Sequence, residues 1–157
     1  MISLDPDAWP ASDSTYRRTE HTALIGSGDA VWQRVSRAVL RWEVKTASGF
    51  TVDAPGPVWA GQRPTVTAHL LGLTVVEPVE VLDVVEEPTR CGFSYRTLPG
   101  HPVDGEEAFY VHRRGDDVHL TIRSLTRAAS AQPWRLLFPA LLIAQRVVRK
   151  RYLRALL

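Results

Sequence analysis

The sequence contains only one cysteine, Cys91, and no long hydrophobic run. A single cysteine excludes an internal disulfide framework and a cysteine-cluster zinc site. The longest apolar run, residues 136–144, includes Pro139 and is far shorter than the roughly 20 residues that a membrane-spanning helix needs. No signal peptide is visible. We therefore expect a protein without a transmembrane segment that resides in the reducing cytoplasm.

Several motifs of known chemistry are also missing. The histidines form no His-x-x-x-His pair on a predicted helix, although a metal site from His101, Glu106 and Glu107 is conceivable. The stretch 26–28 lacks the spacing of a phosphate-binding or dinucleotide-binding loop, and no Gly-x-Ser-x-Gly elbow occurs. The predicted strands do not interleave basic and aromatic residues, as nucleic-acid-binding sheets do. We expect no metal, no cofactor and no nucleic-acid partner.

Charge is unevenly distributed along the chain. The 157 residues are 45% hydrophobic and 23% charged, as in one ordinary globular domain, and the formal net charge is +2. Residues 145–157 carry five basic side chains and no acidic one, so the other 144 residues carry a net charge of −3. Two interpretations remain open for this basic end. It is a solvated face near a helix C-terminus, or it contacts an anionic membrane surface or a partner protein.

The predicted elements follow the order strand, helix, several strands and a long closing helix. Residues 1–14 lack periodicity and are predicted to form an irregular arm, followed by a single domain over 15–157. A strand over 16–25 precedes a helix that runs from Ser27 or Asp29 to about Val44, because apolar residues recur there at helical spacing. Further strands are predicted over 50–52, 58–60, 64–71, 73–85, 91–98, 106–113 and 118–126, and the closing helix over 133–156.

Consecutive strands with short connections favour an antiparallel sheet. We predict an α+β fold in which a curved antiparallel sheet wraps around the C-terminal helix, with one helix in the N-terminal half. If the closing helix does not fill the curvature, a cavity remains. In element order this layout resembles the helix-grip architecture of the START-like and polyketide-cyclase-like proteins, the SRPBCC superfamily. The resemblance implies a hydrophobic ligand held between the sheet and the helix.

One segment is distinctive. Residues 92–102 read GFSYRTLPGHP, and residues 105–109 read GEEAF. This pattern resembles the signature of a family of bacterial and plant proteins known only as a domain of unknown function, G-F-x-Y-G-T-L-P-G-H-P followed by G-E-E-x-F. The resemblance covers about residues 16–157 and implies no established activity. Arg96 stands where that family usually has glycine, and Ala128 stands where it has proline.

The signature loop contains a candidate acid/base group, His101. Prolines at 99 and 102 flank this histidine, and an imidazole with a pKa of about 6.5 is a competent proton shuttle. The first interpretation is therefore a proton shuttle at the mouth of the cavity. The second is a loop histidine that hydrogen-bonds the backbone.

Glu107 is the second candidate, because it shares strand parity with Phe109 and Val111 and should point inward. An inward carboxylate must be paired or protonated. Arg127, Arg123, His101 or a ligand is the expected partner, so Glu107 is either half of a buried ion pair or a functional acid. Its neighbour Glu106 should face solvent or close the loop.

Tyr95 is the third candidate, because it shares one face of its strand with Phe93 and Thr97. Its hydroxyl needs a hydrogen-bond partner, which is either a core neighbour or a ligand carbonyl. Trp59 is either a core residue or a ligand platform. The predicted ligand-binding residues are Phe93, Tyr95, Thr97, Glu107, Phe109, Arg127 and Trp59, and the predicted catalytic residues are His101, Glu107 and Tyr95.

Three functional hypotheses follow. The main one is binding of a small hydrophobic or amphipathic molecule in the cavity, and a fully packed core with no cavity above about 300 Å³ would contradict it. The alternative is a cofactor-independent cyclase or isomerase, for which the three catalytic candidates must converge on one cavity. The third is a membrane-surface or protein-docking module that uses the basic C-terminal helix. The sequence does not define the ligand or the oligomeric state.

Overall fold

A seven-stranded antiparallel sheet and a long C-terminal helix dominate the computed structural model, which describes residues 1–9, 15–70 and 72–157. In chain order the elements are β1 Arg17–Ser27, α1 Asp29–Val39, α2 Glu43–Thr46, β2 Phe50–Val52, β3 Thr65–Leu70, β4 Leu73–Glu87, β5 Arg90–Thr97, β6 Val103–Arg114, β7 Asp117–Ala128 and α3 Trp134–Tyr152. The strand order is β1-β7-β6-β5-β4-β3-β2, and every neighbouring pair is antiparallel. The predicted α+β fold is confirmed.

The two faces of the sheet follow from strand alternation. On β5, Cys91, Phe93 and Tyr95 point to the concave face, where they join the main hydrophobic core. Phe109 on β6 has the same orientation, and its ring lies 6.0 Å from that of Phe93. Register shifts in β1 near Gly26 and in β4 between Val81 and Asp83 interrupt the regular pairing, and such bulges bend a sheet.

The first helix is shorter than its sequence pattern predicts. The pattern predicts one helix to about Val44, but α1 ends at Val39 and the short α2 begins at Glu43. Trp42 lies between them with a left-handed φ of 62°, which reverses the chain direction. The turn buries the Trp42 ring 4.5 Å from that of Phe93. It also directs α2 toward the space between the sheet and α3.

Two further boundaries differ from prediction. Residues 58–60 form a loop rather than a strand, because the Val58 N–H bonds to the Leu40 carbonyl instead of to a neighbouring strand. The predicted strand 64–71 corresponds to β3, and its last residue lies outside the described part of the chain. In residues 1–9, 15–70 and 72–157, no helix is long and apolar enough to cross a bilayer.

The start of the chain covers the outer, convex face of the sheet. Ile2 and Leu4 are buried there against Tyr110 and Leu125. The buried guanidinium of Arg123 on β7 donates to three backbone carbonyls of this segment, at 2.6 Å, 2.8 Å and 3.3 Å for Ser3, Asp5 and Pro6. Residues 10–14 of the predicted arm lie outside the described residues. Glu106 also serves this segment, since it accepts the Ile2 N–H at 2.7 Å.

Candidate functional site

A cavity of about 110 Å³ lies between α3 and the concave face of the sheet. Its apolar walls come from the sheet side, with Phe50, Ala68 and Val75, and from α3, with Leu141, Ala144 and Val148. Its polar lining consists mainly of Lys45, Glu77, Tyr95, His101, Glu107, Arg149 and Tyr152. An apolar chamber with convergent polar groups is the usual form of a small-molecule site.

The size of this cavity limits what it can hold. The predicted size of more than about 300 Å³ is wrong, because the core is not fully packed but the cavity volume is only about 110 Å³. An apolar cavity of about 150 Å³ holds benzene. This cavity therefore encloses a short chain or a single small ring rather than a whole drug-sized ligand.

Lys45 is the central charged group of the site. The turn at Trp42 and the single helical turn of α2 bring its side chain into the cavity, where the residue is only 4% exposed. Its ammonium nitrogen lies 3.4 Å from Glu107 Oε2 and 3.8 Å from Glu77 Oε2. The same nitrogen lies 4.6 Å from the centre of the Phe50 ring and 5.0 Å from that of Tyr152, within cation–π range.

The environment keeps Lys45 protonated. Burial by itself lowers the pKa of an ammonium group. Here the acidic groups around the ammonium, namely Tyr152, Tyr95 and the carboxylates of Glu107 and Glu77, outweigh burial, so the pKa of Lys45 is raised well above its usual value. At neutral pH the two carboxylates carry the negative charge. The side chain is therefore a fixed cation and not an amine nucleophile.

Tyr95 and Glu107 form the second feature of the site. They are directly opposite residues on β5 and β6, and the Tyr95 hydroxyl donates to Glu107 Oε2. Burial, and then the charge of Glu107, raises the pKa of Tyr95 well above its usual value. Tyr95 is thus a neutral donor. Glu107 Oε2 accepts this bond and also faces Lys45, so the three groups share one oxygen.

His101 and Glu77 form the third feature. The Val103 N–H donates to His101 Nδ1 at 3.1 Å, which leaves the proton of the neutral ring on Nε2. Nε2 lies 3.8 Å from Glu77 Oε2. Burial, and then the charge of Lys45, lowers the pKa of His101 to about 3, so the ring is neutral at physiological pH. Burial also raises the pKa of Glu77.

Arg149 is the cation that α3 contributes to the cavity. It is half-buried, and its Nη1 lies 3.4 Å from His21 Nε2 on β1. Burial is the largest cause of a lowered pKa for Arg149, and the nearby Arg17 and Arg146 lower it further, while Glu107 opposes them. The α3 side of the site is therefore electropositive.

The structure brings only part of the predicted set to the cavity. Tyr95, Thr97, His101 and Glu107 line it. Phe93 and Phe109 are buried in the aromatic core and are absent from the lining. The partner of Glu107 is Lys45 together with Tyr95, whereas Arg123, one of the expected partners, faces the convex side.

Two predicted ligand-binding residues lie elsewhere. Trp59 is 60% exposed on the loop before β3 and does not line the cavity. Arg127 has the strand parity of Arg123, and it pairs with Asp104 and covers the Tyr16 ring on the convex side. Strand parity separates Arg127 from the concave face, because Ser124 and Thr126, which line the cavity, have the opposite parity on β7.

Four lining residues are not among those predicted from the sequence: Lys45, Glu77, Arg149 and Tyr152. Lys45 is one of only two lysines among 19 basic residues, which is a signal in a chain that otherwise uses arginine. Glu77 has the inward parity of Val75 and Val79, the same rule that identified Glu107. Tyr152 continues the four-residue spacing of Ala144 and Val148 on the closing helix. Over the described ranges, no group of three or more histidine, cysteine, aspartate or glutamate residues is arranged to hold a metal ion.

Comparison with protein families and curated relatives gives consistent matches. The sequence profile described as domain of unknown function (DUF1990) matches residues 5–155. A UPF0548 protein of Deinococcus radiodurans is 33% identical over 133 residues, covering 72% of this chain and 63% of the relative. The UPF0548 protein At2g17695 of Arabidopsis thaliana is 27% identical over 113 residues, covering 68% and 55%. The chain thus spans about three fifths of the length of these relatives.

Solved structures show the same architecture at low sequence identity. Hypothetical protein jhp0584 of Helicobacter pylori superposes with a TM-score of 0.69 at 13% identity, covering 99% of this chain and 96% of that one. The Zhui aromatase/cyclase of Streptomyces sp. R1128 gives 0.57 at 16%, covering 90% and 91%. A norcoclaurine synthase of Thalictrum flavum gives 0.58 at 11%, covering 93% and 97%. These likenesses show a helix-grip fold.

Proposed function

The chain belongs to the family described as domain of unknown function DUF1990, and from this premise we propose that it binds a small, largely apolar molecule with one polar group in the cavity between the sheet and α3. The observation that carries the proposal is the position of Lys45. A fully buried ammonium group lines the cavity beneath the helix.

A buried ion pair adds little to the stability of a fold. Well-packed hydrophobic residues of similar volume often stabilise a core as well or better, because two charges must be removed from water. The contacts of the Lys45 ammonium with Glu107 and Glu77 are 3.4 Å and 3.8 Å, longer than the roughly 2.7–3.2 Å of a good N–H···O bond. A ligand oxygen that approaches more closely would gain a charge-assisted hydrogen bond.

The apolar lining residues indicate which hydrocarbon part the ligand would have. Ala68 and Val75 on the sheet face Ala144 and Val148 on α3, so the central walls are small and aliphatic. A short hydrocarbon chain or a single small ring matches both this lining and the volume.

Titration of the full chain with hexan-1-ol, followed by ¹H–¹⁵N NMR, tests this proposal. We expect saturable shifts in the amide signals of Val75, Ala144 and Val148, which surround the cavity. Shifts confined to residues near the exposed Trp59, or no saturable shift at all, would contradict binding in the cavity.

A second candidate function is a cofactor-independent cyclase or isomerase. The observation that favours it is the convergence of Tyr95, Glu107 and His101 on one cavity, with Lys45 beside them. Enzymes occur on this fold, as the aromatase/cyclase and the norcoclaurine synthase illustrate. In this scheme Glu107 removes a proton from the carbon next to a ligand carbonyl, Lys45 stabilises the resulting oxygen anion, and the proton returns to a carbon of the ligand.

Deuterium exchange tests this second candidate without knowledge of the substrate. Cyclohexanone incubated in D₂O exchanges its α-protons when a base removes them and solvent deuterium returns. We expect the wild-type chain to accelerate this exchange and the Glu107→Gln variant to lose the acceleration. Equal rates for the two proteins would exclude Glu107 as the base.

A further inference from the structure

Lys45 and Arg149, the two cations that line the cavity, differ in their partners. Lys45 lies within 4.0 Å of two of the lining carboxylates, Glu77 and Glu107. Arg149 has no carboxylate oxygen within 4.0 Å anywhere in the described ranges. Its nearest polar side-chain contact is the ring nitrogen of His21 at 3.4 Å, which is not an anion.

The surroundings of Arg149 add positive charge rather than negative charge. Arg17 on β1 and Arg146 on α3 are close enough to disfavour its protonated form, with Glu107 as the opposing acid. Glu20 is the acid that acts on neighbouring His21, but its carboxylate is paired with Arg123. Partial burial and neighbouring cations both raise the free energy of the charged guanidinium. A bound anion would lower that free energy.

The chemistry of guanidinium identifies the group that would bind. Its planar fork matches a carboxylate with two parallel N–H···O bonds, and such charge-assisted bonds strengthen when the pair is removed from water. Arg149 is on α3 one turn after Gln145 and directly after Val148, and all three line the cavity. An anion at Arg149 therefore leaves the apolar part of the same molecule close to Val148 and Ala144.

On the premise that the cavity binds a ligand, we propose that this ligand is a small organic carboxylic acid, whose carboxylate pairs with Arg149 while its hydrocarbon part occupies the cavity. This assigns the ligand class of the proposed site and makes Arg149 the residue that selects acids over neutral molecules. Lys45, whose charge is offset by its two carboxylates, then remains the donor to a further oxygen of the ligand, as in the proposed function.

Paired titrations with hexanoate and hexan-1-ol test the assignment, because the two probes share a six-carbon chain and differ in charge. We expect the wild-type chain to bind hexanoate at least about tenfold more tightly, the effect of one charge-assisted pair. In Arg149→Gln this preference should vanish, while the dissociation constant of hexan-1-ol changes by less than about twofold. Arg149→Lys, which keeps the charge but loses the fork, should retain an intermediate preference.

The matched control is Arg135→Gln, an exposed arginine on the same helix that does not line the cavity and is not among the charges that act on Arg149. It should keep most of the preference for hexanoate. Equal affinities of the wild-type chain for the two probes, or an unchanged preference in Arg149→Gln, would overturn the assignment while leaving the binding site intact. Binding of neither probe would overturn the proposed function itself and this inference with it.

Discussion

Tyr95 and Glu107 are cross-strand partners on β5 and β6, and the Tyr95 hydroxyl donates to the Glu107 carboxylate on the concave face of the sheet. The Lys45 ammonium lies 3.4 Å from the same carboxylate oxygen. One oxygen thus joins a neutral donor from the sheet to a cation from α2. The cluster places charge in a cavity whose apolar walls are Phe50 on β2 and small aliphatic side chains of β3, β4 and α3.

The Tyr95→Phe variant removes the hydroxyl and keeps the ring. We expect it to lower the free energy of unfolding by about 1.5–3 kcal/mol, as for loss of a hydrogen bond to a charged group. Urea denaturation of Tyr95→Phe, Glu107→Gln and the double variant measures the coupling between the two side chains. The coupling energy should exceed about 1 kcal/mol, and strictly additive effects would contradict the bond.

The Lys45→Met variant leaves Glu77 and Glu107 without their cation. We expect a loss of about 3–5 kcal/mol in the free energy of unfolding at neutral pH, because two buried carboxylates then lack a counter-charge. Adding Glu107→Gln to Lys45→Met should recover part of the loss. Lys150→Met is the matched control, because Lys150 is exposed on α3 and its removal should change stability by less than about 0.5 kcal/mol. An equal effect of the two lysine variants would refute the buried cluster.

His101 makes stability depend on pH. Its pKa is about 3 in the folded chain and about 6.5 in an unfolded one. The unfolded chain therefore binds the proton more readily. The contribution of His101 to the free energy of unfolding is complete above about pH 6.5 and is lost as the pH falls toward 3. Between about pH 7.5 and about pH 5 the loss amounts to about 2 kcal/mol.

The His101→Asn variant isolates this contribution, because the asparagine oxygen can accept the Val103 N–H in place of Nδ1. Over the same pH interval, we expect the free energy of unfolding of this variant to fall by about 2 kcal/mol less than that of the wild-type chain. Urea denaturation at both pH values gives the comparison. Identical losses in the two proteins would show that His101 does not titrate as described.

Arg123 fastens the start of the chain to the convex face. Its three bonds to backbone carbonyls of residues 3–6 cannot be reproduced by the single ammonium of Arg123→Lys. We expect this variant to accelerate hydrogen exchange in residues 2–8 by at least about tenfold. Arg114→Met, which removes only the exposed ion pair with Asp7, should leave exchange nearly unchanged. Unchanged exchange in Arg123→Lys would contradict the anchoring role.

The outer face of α3 combines apolar and basic residues. Leu136, Ile143 and Val147 are 78%, 63% and 52% exposed and share one side of the helix, and Lys150 and Arg154 continue that side. Apolar residues with adjacent cations match an anionic bilayer surface better than nucleic acid. We expect salt-sensitive co-sedimentation with phosphatidylserine vesicles, reduced in Ile143→Asn, and none with phosphatidylcholine vesicles. Binding that persists in Ile143→Asn, or no binding at low salt, would exclude this surface.

Alternation and turn chemistry predicted the fold correctly because both are local. The parity of Phe109 and Val111 correctly placed Glu107 on the concave face and implied that it needs a partner. That partner could not be found in the same way. Lys45 reaches Glu107 only because Trp42 adopts a left-handed conformation, and helical spacing predicts an uninterrupted helix at that point.

The remaining differences have a similar cause. The parity of β7 turns Arg123 away from the concave face, but no local pattern reveals that residues 1–9 cover the convex face and bind its guanidinium. The periodicities of β4 and α3 place Glu77 and Tyr152 on the inner faces of these elements. That the two residues line one cavity follows only from the packing of α3 over β4. Cavity volume depends on how closely that helix approaches the sheet, which no local pattern encodes.

Filling the cavity tests the central claim most directly. Ala144→Phe places a ring in the space between α3 and the sheet, and Ala140→Phe adds the same ring to an exposed position on the same helix. Titration of both folded variants with hexan-1-ol by ¹H–¹⁵N NMR compares them. We expect that Ala144→Phe no longer binds the probe and that Ala140→Phe binds it as the wild-type chain does. Undiminished binding by Ala144→Phe would show that the ligand does not occupy this cavity.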